Sequence, residues 1–211
     1  MIKRLFDLSV SGVMFLVFAP TLLLPIAIVV KLTSRGPVFF KQERVGRDFR
    51  HFMIYKFRTM VPDAPKLGGV ITIGDDPRIT KVGRLLRKTK LDELPQLINV
   101  LVGDMSLVGP RPEAPKYVEM FEDDYREILK VRPGVTDLAS LKYRDESTIL
   151  GQAEDPEEEY VKRILPEKLR LAKQYARQSS LSVDLAIILK TVMLLLGDRL
   201  PKRKKADNDN T

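Results

Sequence analysis

The chain has 211 residues, enough for one cored domain plus an attachment segment. Thirty-six Lys and Arg against 28 Asp and Glu give a formal net charge of +8, which draws anionic partners. No zinc-finger or RNP-type motif is present, so anionic headgroups suit that charge better than nucleic acid; the absence of cysteine excludes disulfides and thiolate chemistry.

In chain order, Leu8 to Val30 comes first: 23 residues without a charge, long enough to cross a bilayer of about 30 Å. Pro20 and Pro25 lie inside the run, and each removes a backbone hydrogen bond and bends a helix. Lys3 and Arg4 precede it, and residues 31–60 hold eight Lys or Arg against two acids. Basic flanks favour the cytoplasmic side, so both ends ask for the same side. A helix that enters, bends at Ala19-Pro20 and returns satisfies both ends; under either topology the remainder is expected in the cytoplasm. The domain boundaries follow: a membrane segment over 1–36, a cytoplasmic domain over 37–200, and a basic then disordered tail over 201–211.

Val38 to Arg58 is rich in Phe, Val, Ile and Tyr around a Gly46-Arg47-Asp48 break, which predicts a β-hairpin. Period-2 alternation puts Arg50, Lys56 and Arg58 on one face of its second strand. Residues 61–80 hold Pro62, Pro65, Gly68-Gly69 and Asp75-Asp76-Pro77, predicting a loop. Leu91, Leu94, Ile98 and Leu101 follow helical spacing, as do Val118, Phe121, Tyr125 and Ile128. Arg132-Pro133-Gly134 stops the latter helix. Pro166 predicts the first residue of another, with Leu169, Ala172 and Ala176 along it. Leu181 to Leu196 is strongly apolar apart from Asp184, Lys190 and a few hydroxyls, and Gly197 ends it. That segment is a core helix or one lying in the headgroup layer, and Lys202-Arg203-Lys204-Lys205 after it favours the headgroups. The fold class read from this order is α+β, predominantly helical with one small hairpin.

Chemistry concentrates in Leu91–Pro112, LDELPQLINVLVGDMSLVGPRP. Asp92-Glu93 opens an apolar run that ends in a Gly- and Pro-rich turn carrying Arg111. Helix capping explains an acidic pair at that place. A second account is a carboxylate pair that handles a phosphate through a metal ion, with basic residues on both sides in sequence. Lys56 and Arg58 read as a solvated strand face or as phosphate contacts, and Arg84, Arg87, Lys88 and Lys90 as surface charge or a membrane-facing patch. His51 has no evident partner. No HExxH, GxSxG, Walker A or GxGxxG pattern is present, which removes several enzyme classes.

Three stretches carry a resemblance. LFDLSVSGVMFLVFAP…GPVFFKQERVGRDFRHFMIYKFRTM, then DDPRITKVGRLLRKTKLDELPQLINVLVGDMSLVGPRPE, then VRPGVT resemble the bacterial sugar transferase family, the monotopic phosphoglycosyl transferases that begin glycan assembly on polyprenyl phosphate. The likeness runs from about residue 2 to 196 and matches the minimal catalytic form. It implies transfer of a sugar 1-phosphate from a UDP-sugar to polyprenyl (undecaprenyl) phosphate, releasing UMP through an aspartyl-phosphosugar on Asp92. It further implies Mg²⁺ held at Asp92, with Glu93 organising the metal or tuning Asp92, and Arg111 contacting the nucleotide or phosphate. Arg87 and Lys56, then Arg58 and Arg132, are the further phosphate-binding expectations, with Pro20 the membrane break. The implied place is the inner membrane with the catalytic domain on its cytoplasmic face. Two departures stand out. The family's usual Ser-Pro break reads Ala19-Pro20, and its Thr-Gly-Trp-Ala-Gln after VRPG reads Thr136-Asp137-Leu138-Ala139-Ser140. A non-catalytic membrane scaffold that kept the fold is the alternative class, and it would need no Asp92-Glu93 pair.

Overall fold

The computed structural model describes residues 1–67, 72–73 and 76–197. The tail over 201–211, including its basic cluster, lies outside that range. The chain opens with α1 (Ile2–Phe18), a five-residue π turn (Ala19–Leu23) and α2 (Leu24–Thr33). Together they make a 32-residue helix, the one among the described residues long and apolar enough to cross a membrane. The wide turn falls where Pro20 and Pro25 remove N–H donors and crowd the preceding carbonyls. The Leu24 N–H there bonds Ala19 O. Within the turn Thr21 Oγ1 donates to Val17 O at 2.6 Å.

The hairpin forms where alternation and the Gly46 break predict it. β1 (Phe39–Val45) pairs antiparallel with β2 (His51–Phe57), in register from Phe39↔Phe57 to Val45↔His51. Arg50 falls in the turn before β2 and Arg58 just after it, so the expected three-residue basic face reduces to Lys56. His51 does have a partner: its Nδ1 lies 2.9 Å from Glu43 Oε1 across the hairpin, on the exposed face. The expected loop over 61–80 contains the one-turn α3 (Ala64–Leu67) and a bridge between Met60 and Ile79. α4 (Lys81–Thr89) follows, opened by Thr80, whose Oγ1 accepts from Gly83 N at 2.9 Å.

The single helix expected through Leu91 and Leu101 divides into a 3₁₀ turn (Leu91–Glu93) and α5 (Gln96–Val102). Pro95 offers no N–H, and Lys90, at φ 58°, reverses the chain before it. The helix expected through Val118 and Ile128 is likewise two, α6 (Pro115–Met120) and α7 (Glu122–Ile128), broken at Phe121 (φ −128°, ψ 39°). Two strands of three residues went unforeseen. β3 (Ser106–Val108) pairs parallel with β4 (Gly134–Thr136), and segments this short show no usable periodicity. The remainder is helical: α8 (Leu138–Lys142), α9 (Glu146–Gly151), α10 (Pro156–Glu159), a π turn (Tyr160–Ile164), α11 (Leu165–Gln178) and α12 (Leu181–Gly197). Pro166 sits at the second position of α11, as its fixed φ suits.

Three apolar clusters hold these elements. One joins Tyr117, Tyr125, Ile128 and Leu165. A second joins Leu97, Val100, Met105 and Ile187, with Phe6, Val10 and Met14 of α1 laid over it. The third joins Leu23 and Val30 of the apolar helix to Phe57 and Leu86. The polar N-terminal foot of α1 is also fixed. Arg4 donates to Val100 O at 2.7 Å, and Lys3 donates to Val108 O at 3.1 Å while pairing with Asp184 of α12. Asp7 accepts from Ser106 Oγ at 2.8 Å and from Leu107 N at 3.2 Å. At the other end, Arg58 donates to Ser34 O and Ser34 Oγ at 2.8 and 2.7 Å. Both ends of the apolar helix therefore rest on the same globular unit. α12 buries Asp184 and Ile187 there and leaves Leu185, Leu189, Val192, Met193 and Leu196 exposed.

β3 and β4 meet through two glycines. A Cβ on Gly134 would lie 2.0 Å from Gly109 N, and one on Gly109 would lie 2.2 Å from Arg132 O. Gly134→Ala is expected to force the strands apart, costing roughly 1–3 kcal/mol as overpacked sites do, a fall in melting temperature of roughly 2–12 °C. Thermal unfolding in detergent measures it; an unchanged midpoint would mean that the contact gives way freely.

Candidate active site

Asn99 of α5 docks the dyad against the hairpin. Fully buried, it accepts from Tyr55 N at 3.0 Å through Oδ1 and donates to Met53 O at 2.8 Å through Nδ2. Those bonds serve the open edge of β2, and they bring the 3₁₀ turn before α5 up against Lys56. Lys56 Nζ then lies 2.8 Å from Glu93 Oε1.

Arg111 approaches Glu93 from the other side. Its loop, Gly109-Pro110-Arg111-Pro112-Glu113, is stiffened by two prolines and pinned along its length. Gly109 N donates to Thr136 O at 3.1 Å, Arg111 N to Asp137 Oδ2 at 3.3 Å, and Val45 N to Glu113 O at 3.1 Å. The Arg111 guanidinium grips Glu93 with two prongs, Nη2 to Oε1 at 2.5 Å and Nη1 to Oε2 at 3.3 Å. Asp137 also caps α8 by accepting from Ser140 N at 2.7 Å. The segment that departs from the family pattern thus sets the Arg111 backbone.

Asp92 sits beside this pair under different conditions. It is 8% exposed, its side chain does not cap a helix, and its Oδ1 is buried with no hydrogen-bond partner. Arg87 points its charge the same way from α4, held by a 2.8 Å bond from Nε to Thr59 Oγ1. Burial, and next the Glu93 charge, raise the Asp92 carboxyl above its ordinary value, opposed by Lys56, Arg87 and Lys90. For Glu93 burial acts upward too, but Arg111 and Lys56 overcome it and hold the carboxyl well below its ordinary range. Burial lowers Lys56 and Arg87. Two adjacent carboxyls are pushed in opposite directions, Glu93 downward by its two cations and Asp92 upward by burial. Such divergence marks sites of chemistry.

Lys56, Arg87, Asp92, Glu93 and Arg111 thus converge. Arg58 and Arg132 do not. Arg58 is buried at the end of α2 on Ser34, and Arg132 Nε donates to Gly103 O at 2.9 Å near the α1 foot. Spacing along one strand or one motif cannot separate an arginine that faces a ligand from one that closes a backbone end. Sequence reasoning also missed Glu113. Its buried carboxylate meets Tyr160 Oη at 2.8 Å, Lys168 Nζ at 3.3 Å and Arg44 Nη1 at 3.7 Å, anchoring the far end of the Arg111 loop. Position directly after a conspicuous motif was its one signal.

Mg²⁺ takes oxygen ligands, commonly one or two carboxylates with substrate phosphates completing the shell. The described residues contain no group of three or more His, Cys, Asp or Glu side chains that could hold a metal. Glu93 has both oxygens engaged, whereas Asp92 offers an unpartnered one. The donor set fits a cation shared between Asp92 and a phosphorylated substrate.

An apolar helix footed on a basic domain, with a carboxylate dyad ringed by Lys and Arg, fits a membrane-associated protein whose site could take an anion. Comparison with known proteins makes the class specific: the chain belongs to the bacterial sugar transferase family, whose model matches residues 1–198. It is 38% identical over 200 residues to a UDP-N-acetylgalactosamine-undecaprenyl-phosphate N-acetylgalactosaminephosphotransferase of Aeromonas hydrophila, covering 92% of this chain and 44% of that one. It is 41% identical over 194 residues to a UDP-glucose:undecaprenyl-phosphate glucose-1-phosphate transferase of Klebsiella pneumoniae, covering 90% and 39%. To the exopolysaccharide production protein PSS of Rhizobium leguminosarum bv. phaseoli it is 45% identical over 148 residues, 67% and 74%. The chain spans less than half the length of the first two.

Glu93→Gln leaves Lys56 and Arg111 without their counter-charge. With those side chains 19% and 30% exposed, the buried-pair penalty is discounted to about 1–3 kcal/mol. Because the folded carboxyl lies below its ordinary 4.5, its stabilisation is complete above that pH and fades as pH falls toward the folded value. Denaturant unfolding of both proteins from pH 7 to pH 3 should give a gap that is constant down to about 4.5 and narrows below.

Proposed function

We propose that this protein transfers a sugar 1-phosphate from a UDP-sugar to undecaprenyl phosphate, releasing UMP, as the first membrane step of glycan assembly. The observation that carries the reading is Asp92: a buried carboxylate with a free oxygen, beside a glutamate whose charge is already neutralised. A carboxylate fully paired with cations would be a poor nucleophile, and here the cations are taken up by Glu93.

Asp92 attacks the β-phosphorus of the donor. An O–P bond to Asp92 forms as the bond from that phosphorus to the bridging oxygen breaks, and UMP leaves with the electron pair. The polyprenyl phosphate oxygen then attacks the same phosphorus, giving a polyprenyl diphosphate sugar and restoring the carboxylate. Two in-line displacements replace one between two anions. Lys56, Arg87 and Arg111 lower the charge repulsion that an anionic nucleophile meets at a diphosphate, and their fixed supports hold them in place before substrate arrives. Mg²⁺, held by Asp92, would supply further screening of the diphosphate charge. Glu93 tunes the pair and positions Lys56 and Arg111. The named relatives support the acceptor and the general reaction, and they differ between themselves in the sugar.

The two feet of the apolar helix support a re-entrant membrane arrangement. Lys3, Arg4 and Asp7 at one end and Ser34 at the other all bind one domain, which supports a helix that enters the membrane and returns rather than crosses. Residues 1–36 are then the membrane segment and 37–200 the catalytic domain, on the cytoplasmic face of the inner membrane by its basic charge. The exposed Leu and Val of α12, anchored to Lys3 through Asp184, support a helix lying in the headgroup layer.

Purified protein in detergent with undecaprenyl phosphate and Mg²⁺ should release UMP from one member of a UDP-sugar panel. Asp92→Asn should abolish release while melting no lower than the wild type, because the buried charge it removes disfavours the folded state at neutral pH. EDTA should stop release until Mg²⁺ is restored. Turnover by Asp92→Asn would remove Asp92 as nucleophile. For topology, Ile2→Cys in this cysteine-free chain should react with an impermeant thiol reagent only from the cytoplasmic side of membrane vesicles. Reaction from the outside would mean a crossing helix.

A further inference from the structure

α4 turns its sides to different neighbours. Leu86, buried, and Val82, half-buried, pack with Leu23 and Val30 of the apolar helix. On the next flank Gly83 lies against the Thr59 backbone, where a Cβ would come within 2.0 Å of Thr59 O, and Arg87 bonds Thr59 Oγ1. The helix is thus held between α2 and the turn that bears the dyad.

Its remaining face is open. At about 100° per residue, Leu85 lies beyond Val82 on the side away from the core, and Lys81 and Lys88 lie beyond Leu85. Leu85 is 61% exposed, and both lysines are exposed. Neither lysine pairs with a carboxylate among the described residues. A lone exposed leucine is ordinary on a water-facing surface. Here it stands between a flank packed on the apolar helix and a cationic edge. The outward face of α2 is apolar as well, with Leu24, Ile28, Val29 and Leu32 exposed. Passing outward from α2, the side chains of α4 therefore change from apolar to ammonium. Helices at a headgroup boundary show that order, because lysine stems lie along apolar surface while their charged ends reach phosphate.

We propose that the outer face of α4 docks on anionic phospholipid headgroups, with Leu85 entering the acyl boundary and Lys81 and Lys88 meeting lipid phosphates. This rests on the apolar helix lying in the membrane. Arg87 belongs to the same helix, so the dyad and the lipid phosphates lie on two sides of one cylinder about 10 Å across. The docked helix holds Asp92 close to the layer in which a polyprenyl phosphate carries its own phosphate.

The test places an environment-sensitive fluorophore on Leu85→Cys in this cysteine-free chain. The full-length protein is reconstituted in phosphatidylcholine vesicles with or without phosphatidylglycerol. Quenching by lipid-borne nitroxides, at headgroup and acyl depth, is compared with quenching by aqueous acrylamide. Val17→Cys, on the exposed side of α1, reports the apolar helix in the same way. The probe at residue 85 should be quenched by lipid and shielded from acrylamide, with lipid quenching about twofold stronger when phosphatidylglycerol is present. Adding Lys81→Gln and Lys88→Gln should remove that increment and leave the melting temperature in detergent unchanged. A probe at residue 85 quenched by acrylamide alone, while the one at residue 17 is quenched by lipid, would overturn the docking. Shielding that appears only as protein density rises would put a second copy of the chain there instead. An increment that survives loss of both lysines, or a double variant that melts lower, would also overturn it. Absence of lipid quenching at both residues would mean that the membrane reading itself fails, a result distinct from all of these.

Discussion

The arrangement turns on one neutralisation, that of Glu93 by Lys56 and Arg111. Without it two adjacent carboxylates in a largely buried turn would repel each other, and burial with that repulsion would push both carboxyls upward. With it, Glu93 becomes a fixed anion that binds β2 to the Arg111 loop. Asp92 escapes capture by either cation. The pairing thus does structural and electrostatic work at once: it closes the site from two sides and keeps a nucleophilic oxygen free.

The supports behind those cations come from distant parts of the fold. Asn99 fixes the strand that carries Lys56, Thr59 fixes Arg87, and Asp137 with the Glu113 cluster fixes the Arg111 loop. Each is a short polar contact to backbone or to a buried partner, the kind that packs poorly if displaced. Preorganisation of this sort suits a reaction between anions, in which reorienting charges during the step would waste most of their effect.

Much of this was legible in the sequence where one periodicity or one residue type decides the matter. The hairpin shows in alternating Phe, Ile and Tyr around Gly46, the apolar helix in its missing charges, and the dyad in its sequence context. What escaped notice depends on contacts between remote segments. The β3–β4 pair is too short for a pattern and exists because Gly109 and Gly134 allow backbones to touch. Arg58 and Arg132 look like Lys56 and Arg111 in composition and differ in what the fold places opposite them. Phe121 and Pro95 break helices whose apolar spacing runs on unbroken, because spacing records which face is buried and not whether the backbone is continuous.

The foot of α1 has a temporal side. Its partners are made in the order Val100, Ser106, Val108 and finally Asp184, which lies 181 residues beyond Lys3. At roughly 5–20 residues per second, the ribosome needs on the order of ten to forty seconds to reach that aspartate after Lys3 is made. Arg4 and Asp7 gain their partners once residues 100–107 are made, and Lys3 waits for Asp184. The full set of contacts at the α1 foot therefore requires nearly the whole chain.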